Sequence, residues 1–177
     1  MDDWDKDESV ESRPRFRKER KCDFTDTLRV HIKGSMMYHS LFKTSKVGTP
    51  FGEIKQSEEI GTLMAQRACR FLDMQLTSYE GWCVVTTPRR RHFENFNFSE
   101  FVSGLISKYK SITFYKGAVQ CINKDRLNPQ FHLLRPIEEK KVILFDDIIT
   151  TGTTLKATRE LLTDKEQVIC IVGIQNK

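Results

Sequence analysis

Lys141-Val142-Ile143-Leu144-Phe145-Asp146-Asp147-Ile148-Ile149-Thr150-Thr151-Gly152-Thr153-Thr154-Leu155 is the stretch whose reading decides the fold. Val142 to Phe145 is an uninterrupted apolar run, with Lys140-Lys141 before it and two carboxylates after it. A run that is apolar at every position belongs to a strand covered on both faces, the usual state of a central parallel strand. Asp146 and Asp147 stand where that run stops. Adjacent side chains on a regular strand point to opposite faces, so both acids serve one site only if the backbone turns there. Thr150 to Thr154 follows, small and hydroxyl-rich, with Gly152 able to take a left-handed conformation. Leu155, Thr158, Leu161 and Leu162 then recur at helical spacing.

Strand, acid pair, hydroxyl-rich turn and helix, in that order, make a ligand cradle. N–H groups of the turn and the helix start converge on one point, which favours a phosphate dianion. Threonine hydroxyls add donors without adding charge. The carboxylates upstream can accept hydrogen bonds from sugar hydroxyls, and the carboxyl ends of strands are where open α/β sheets bind ligands. The order points to a ribose 5-phosphate, with its diol at Asp146 and Asp147 and its phosphate at Thr150, Thr151, Gly152, Thr153 and Thr154. A buried strand followed by an ordinary turn and helix cap would account for Val142 to Phe145 and for Thr153. It gives no reason for paired acids ahead of Thr-Thr-Gly. No lysine follows the glycine, so this is not a Walker loop.

Composition bounds the rest. A chain of 177 residues is read as one domain, able to bury roughly two-thirds of its unfolded surface. Hydrophobic residues at 38% and charged residues at 30% fit a globular chain with a polar tail. No apolar stretch is long enough to span a bilayer, and Met1-Asp2-Asp3-Trp4-Asp5 has no signal-peptide pattern, so a cytoplasmic location is expected. Cys22, Cys69, Cys83, Cys121 and Cys170 show no Cys-x-x-Cys pair, which argues against a disulfide framework and a zinc ribbon. The formal charge of +5 suits nucleic acid, but an enzyme handling a diphosphate also needs excess base. Charge alone does not choose.

Residues 1–24 read as a polar, solvated extension or, alternatively, as a basic arm that docks on an anion or a partner. Residues 25–177 read as a single domain. Thr27 to Lys33 alternates like a half-exposed strand, whereas Met36 to Phe42 is too mixed to assign. Ser57-Glu58-Glu59 reads as a helix start, followed by an apolar stripe from Ile60 to Leu72. Trp82 to Thr86 is a second buried-type strand, and it leads into Thr87-Pro88-Arg89-Arg90-Arg91-His92. In a parallel sheet those guanidinium groups share an edge with Asp146. They read either as a solvated charge run or as a clamp for a diphosphate, which the planar arginine fork suits. Ser99 is the expected cap of a helix through Tyr109, and Ile112 to Tyr115 a third strand. Cys121 to Phe131 is a polar insertion and a candidate lid, and Gln167 to Ile174 a final buried strand. Strands alternating with amphipathic helices predict an α/β fold, a mostly parallel central sheet flanked by helices.

The motif resembles the phosphoribosyl-diphosphate (PRPP) binding motif of type I phosphoribosyltransferases: an apolar run, two acids, two apolar residues, Thr-Thr-Gly, one residue, then Thr or Ser. The resemblance covers about Gly81 to Lys177. Within it, Arg89 to Arg91, Phe96-Asn97 and Arg126-x-Asn128 resemble the ComF-type subgroup, although Glu94-Asn95 replaces that subgroup's Arg-Gly and its zinc ribbon is absent. The resemblance implies a Rossmann-like core at about 56–177 under a small hood at about 25–55. It implies transfer of the phosphoribosyl group from PRPP to a nitrogen nucleophile, a nucleobase or related acceptor, with release of diphosphate. The 5-phosphate would lie at Thr150, Thr151, Gly152, Thr153 and Thr154, and the ribose hydroxyls at Asp146 and Asp147. Diphosphate would lie at Thr87, Arg89, Arg90 and Arg91. Asp146, Asp147 and Arg90 would carry catalysis, and Lys124, Arg126 and Asn128 would belong to the lid. Mg²⁺ would be held through ligand and water near Asp146 and Asp147, with no direct protein ligand. Homodimers are common in the family. Two rivals stay open: a PRPP-sensing protein without transfer activity, and a ComF-like DNA-uptake accessory protein that tracks single strands with Arg89 to Arg91 near Phe93, Phe96 and Phe98.

Overall fold

The computed structural model describes residues 19–89, 96–123, 125 and 128–176. Along the chain these form β1 (Lys21–Cys22), β2 (Arg29–Lys33), β3 (Met36–Lys43), β4 (Thr49–Pro50), the one-turn helix α1 (Phe51–Ile54), α2 (Glu58–Gln75) and β5 (Trp82–Thr86). There follow α3 (Phe98–Lys110), β6 (Thr113–Phe114), β7 (Val119–Cys121), β8 (Phe131–Leu133), β9 (Lys141–Ile149), α4 (Thr153–Glu160) and β10 (Gln167–Gln175). The main sheet has six strands in the order β2-β3-β10-β9-β5-β6, all parallel except β2, which pairs antiparallel with β3. The motif strand β9 is therefore central, flanked by β10 and β5, as its unbroken apolar run predicts.

Two apolar layers sandwich the sheet. On one face Ile143, Phe145, Ile171 and Val84 pack against Met64, Ala68 and Leu72 of α2 and Val102 and Ile106 of α3. On the other, Val142, Leu144, Cys170 and Val85 pack against Leu155 of α4, Leu162, and Val119 and Phe131 of the β7–β8 ribbon. Each fully buried Leu, Ile or Phe in these layers contributes about 1.5–3 kcal/mol by leaving water.

Local signals explain most boundaries. Ser57 caps α2 by accepting from the Ile60 N–H (3.2 Å). The cap of α3 is Asn97 rather than Ser99: its side chain accepts from the Glu100 N–H at 3.2 Å, and the helix begins at Phe98. Either residue type can cap, and Asn97 precedes Phe98, which the core draws in. Met36–Lys43, which shows no clean period, is a sheet strand. Its polar His39 and Ser40 are buried there, and this hid the pattern. Polar residues 121–131 are framed by the antiparallel β7–β8 pair. Cys22, within the stretch read as an extension, is fully buried, and β1 pairs with β4.

β9 does not end at the acids but runs on to Ile149. Its alternation, however, slips. Ile143 and Phe145 belong to the α2/α3 layer and Val142 and Leu144 to the α4 layer; beyond the acids Ile148 packs with the first layer and Ile149 with the second. A regular strand would place them the other way round. The slip falls beside Gly173 of β10, where an added Cβ would sit 2.6 Å from the Asp147 carbonyl oxygen and closer still to the Met64 sulfur. Only glycine lets the two backbones and Met64 of α2 meet there.

Candidate functional site

β5 pairs with β9 only as far as Thr86 opposite Phe145, so from Asp146 onward that edge of β9 is open. A crevice of about 580 Å³ lies there, lined by Thr87, Pro88, Arg89, Asp146, Asp147, Ile148, Thr150 and Thr154, with Lys55 and residues 96–99 completing it. The slip in β9 lets both acids reach this one hollow, meeting the condition set by their adjacency in sequence.

Thr87 stitches the two strand ends together. Its N–H donates to the Phe145 carbonyl (3.0 Å) and its hydroxyl to Asp146 Oδ1 (2.8 Å). Asp146 is 8% exposed. Burial pushes its carboxyl up to about 7; the adjacent Asp147 adds to the rise, while the Thr87 hydroxyl and Lys55 oppose it. Asp147 is held differently. The Ile148 N–H donates to its Oδ1 (2.7 Å), and the Lys55 ammonium lies 3.0 Å from its Oδ2.

The threonine turn runs directly into α4. Gly152 takes φ +82° ahead of α4, and the Lys156 N–H donates to its carbonyl (2.9 Å). The Thr151 and Thr153 hydroxyls are 2.9 Å apart, and the Thr153 N–H donates to Thr151 Oγ1 (3.4 Å). The Lys33 ammonium donates to the Thr151 carbonyl, and its stem lies 3.8 Å from where a Cβ on Gly152 would be. The Asn176 side-chain amide donates to Thr150 Oγ1 (3.3 Å). Positive partial charge at the start of α4, with Lys33 beside it, favours an anion.

Of the residues singled out from sequence, Thr87, Arg89, Asp146, Asp147, Thr150 and Thr154 line the crevice together. Thr151, Gly152 and Thr153 continue the same turn without lining it. Arg90, Arg91, Lys124 and Arg126 lie outside the described residues, as does Phe93. Asn128 is exposed within the insertion, its carbonyl accepting from the Asn123 side chain (3.0 Å), and it does not line the crevice.

Lys33, Lys55 and Asn176 were not indicated by local spacing. Asn176 alone carried a signal, as a polar residue directly after a buried parallel strand, the same placement that distinguishes Thr87. Among the described residues no three His, Cys, Asp or Glu side chains cluster as a metal cage. Two adjacent carboxylates still suit Mg²⁺, a hard ion that keeps several waters and takes the remaining oxygens from its ligand.

Fold and crevice together define an α/β protein with an open crevice at the carboxyl ends of a mostly parallel sheet. No protein-family profile matches the chain, and no curated protein does. Among solved structures, a hypoxanthine phosphoribosyltransferase from Staphylococcus aureus in a tetragonal crystal form is similar, with TM-score 0.44 and 15% identity, over 68% of this chain and 74% of that one. Its orthorhombic form gives TM-score 0.43 and 15% identity, over 68% of each chain.

Proposed function

We propose that the crevice binds PRPP and that the protein transfers the phosphoribosyl group to a nitrogen nucleophile, releasing diphosphate. One observation carries this reading: an acid pair, Thr150 and Thr154 at either side of a helix start, and an arginine-bearing strand end line one hollow. The threonine turn would take the 5-phosphate, Asp146 and Asp147 the ribose diol, and Arg89 the diphosphate, with Arg90 and Arg91 following it in sequence. When bound beside the acids and ligand, Mg²⁺ would supply positive charge to the diphosphate oxygens.

The chain's own contribution is electrostatic and positional. Breaking the C1–O bond leaves positive charge on the sugar and negative charge on diphosphate. Asp147, anchored on two sides, is a fixed anion near the sugar, and Arg89 supplies a cation on the leaving-group side of the crevice. A single donor or cation aimed at the developing negative charge contributes on the order of 3–4 kcal/mol. Asp146, protonated more readily than an ordinary aspartate, can exchange a proton with the ribose hydroxyl or the acceptor nitrogen at neutral pH.

The test is incubation with PRPP, Mg²⁺ and a panel of nitrogenous bases, with diphosphate release as readout. Release that depends on one base supports transfer and identifies the acceptor. PRPP binding without release supports the sensing protein instead. The DNA-tracking reading fares worse, because Phe98 is only 3% exposed and packed edge-on against Phe96, which leaves it no face for a base.

A further inference from the structure

Lys55 belongs to no motif in the sequence, yet it lines the crevice beside the acid pair. It follows α1, its N–H donating to the Phe51 carbonyl (3.2 Å), and Ser57 begins the cap of α2 two residues on. Ile54 beside it is fully buried. Its backbone is thus fixed from both sides, while its side chain remains 43% exposed and the Asp147 side chain 14%. The ammonium lies 3.0 Å from Asp147 Oδ2.

Two neighbouring carboxylates facing one hollow repel each other and any phosphate that approaches. A divalent ion relieves this; so does an ammonium built into the chain. We propose that Lys55 is the crevice's internal counter-cation, which keeps the acid pair open to a ribose diol and lets the sugar-phosphate half of the ligand bind without a divalent metal. The inference rests on the ribose-phosphate reading of the site. It assigns Lys55 as a binding and positioning residue, distinct from the leaving-group side at Arg89.

Calorimetric titration of the full chain with ribose 5-phosphate, which has no diphosphate, tests it. Titrations would be run in EDTA and in millimolar Mg²⁺, on the native protein, Lys55→Met and Lys55→Arg. The native protein should bind with the same affinity in both buffers. Lys55→Met should bind about ten-fold more weakly in EDTA and recover with Mg²⁺, while Lys55→Arg keeps metal-independent binding. Equal binding by native and Lys55→Met protein in EDTA overturns the proposal. So does a Lys55→Met loss that Mg²⁺ leaves unchanged, since a purely structural ion pair would behave that way. Absence of binding by the native protein in both buffers would remove the ribose-phosphate reading itself.

Discussion

Asp146 and Asp147 are chemically identical and adjacent, yet the protein holds them in opposite ways. Asp146 is buried against Thr87, and burial raises its pKa to about 7 from 3.8. A carboxyl whose folded pKa is raised is tolerated best when protonated. Its stabilising contribution is therefore complete below about pH 4 and lost as pH rises through about 7. Asp146→Asn, neutral at every pH, should flatten that decline and leave the protein more stable than native at alkaline pH by a few kcal/mol. Chemical denaturation between about pH 4 and about pH 9 measures it; a native-like slope in the variant would show that Asp146 is not the titrating group. His39, packed on Phe71 with ring centroids 4.5 Å apart, works in the other direction. Burial lowers its pKa, so folding loses stability as pH falls below the ordinary histidine range. Asp147→Asn tests the other acid: it should lower turnover by about 100-fold or more while shifting stability by less than about 1 kcal/mol. Turnover within about two-fold of native would remove Asp147 from the proposed mechanism.

At the level of elements, the site depends on a fault in β9. Its alternation slips at Asp147, and Gly173 on β10 leaves room for it. Gly173→Ala should force apart β10, the Asp147 carbonyl and Met64, lowering stability by about 1–3 kcal/mol and weakening ribose 5-phosphate binding together. Thermal unfolding and calorimetry on one preparation would show whether the two losses coincide; full binding in a destabilised variant would separate the slip from the site. This slip also shows where sequence reading stops. The strand β9, its apolar run and the turn after it were legible because they follow local periodicity. How the backbone lets both acids share a hollow was not, because it depends on a glycine 26 residues further on in a neighbouring strand. β3 was missed since it buries His39 and Ser40, which break the apolar pattern a covered strand normally shows. The α3 cap was placed two residues late because Asn97 and Ser99 are equally good cap types, and only the burial of Phe98 decides between them.

Across the whole molecule, the crevice and the threonine turn beside it gather segments that are far apart in the chain. Lys33 meets Thr151 across 118 residues, Thr87 meets Asp146 across 59, and Asn176 meets Thr150 across 26. No window of local sequence holds such pairs, which is why the two lysines were invisible to motif reading although the acids and threonines were not. The same geometry couples ligand binding to global folding. A ligand that touches the threonine turn, the acid pair and the β5 end joins parts of the sheet that unfolding separates, and the unfolded chain has no equivalent site. PRPP at about 100 times its Kd should then stabilise the fold by about 2.7 kcal/mol, a rise in Tm on the order of 5–10 °C for a chain of this length. Asp147→Asn should lose most of that rise. Asp164→Ala should keep it, because Asp164 is exposed and precedes β10 at the opposite end of the sheet. A thermal scan with and without PRPP in Mg²⁺ reads all three proteins. A rise equal in all three would place the ligand elsewhere on the molecule, and no rise in the native protein would mean that the crevice is not a PRPP site.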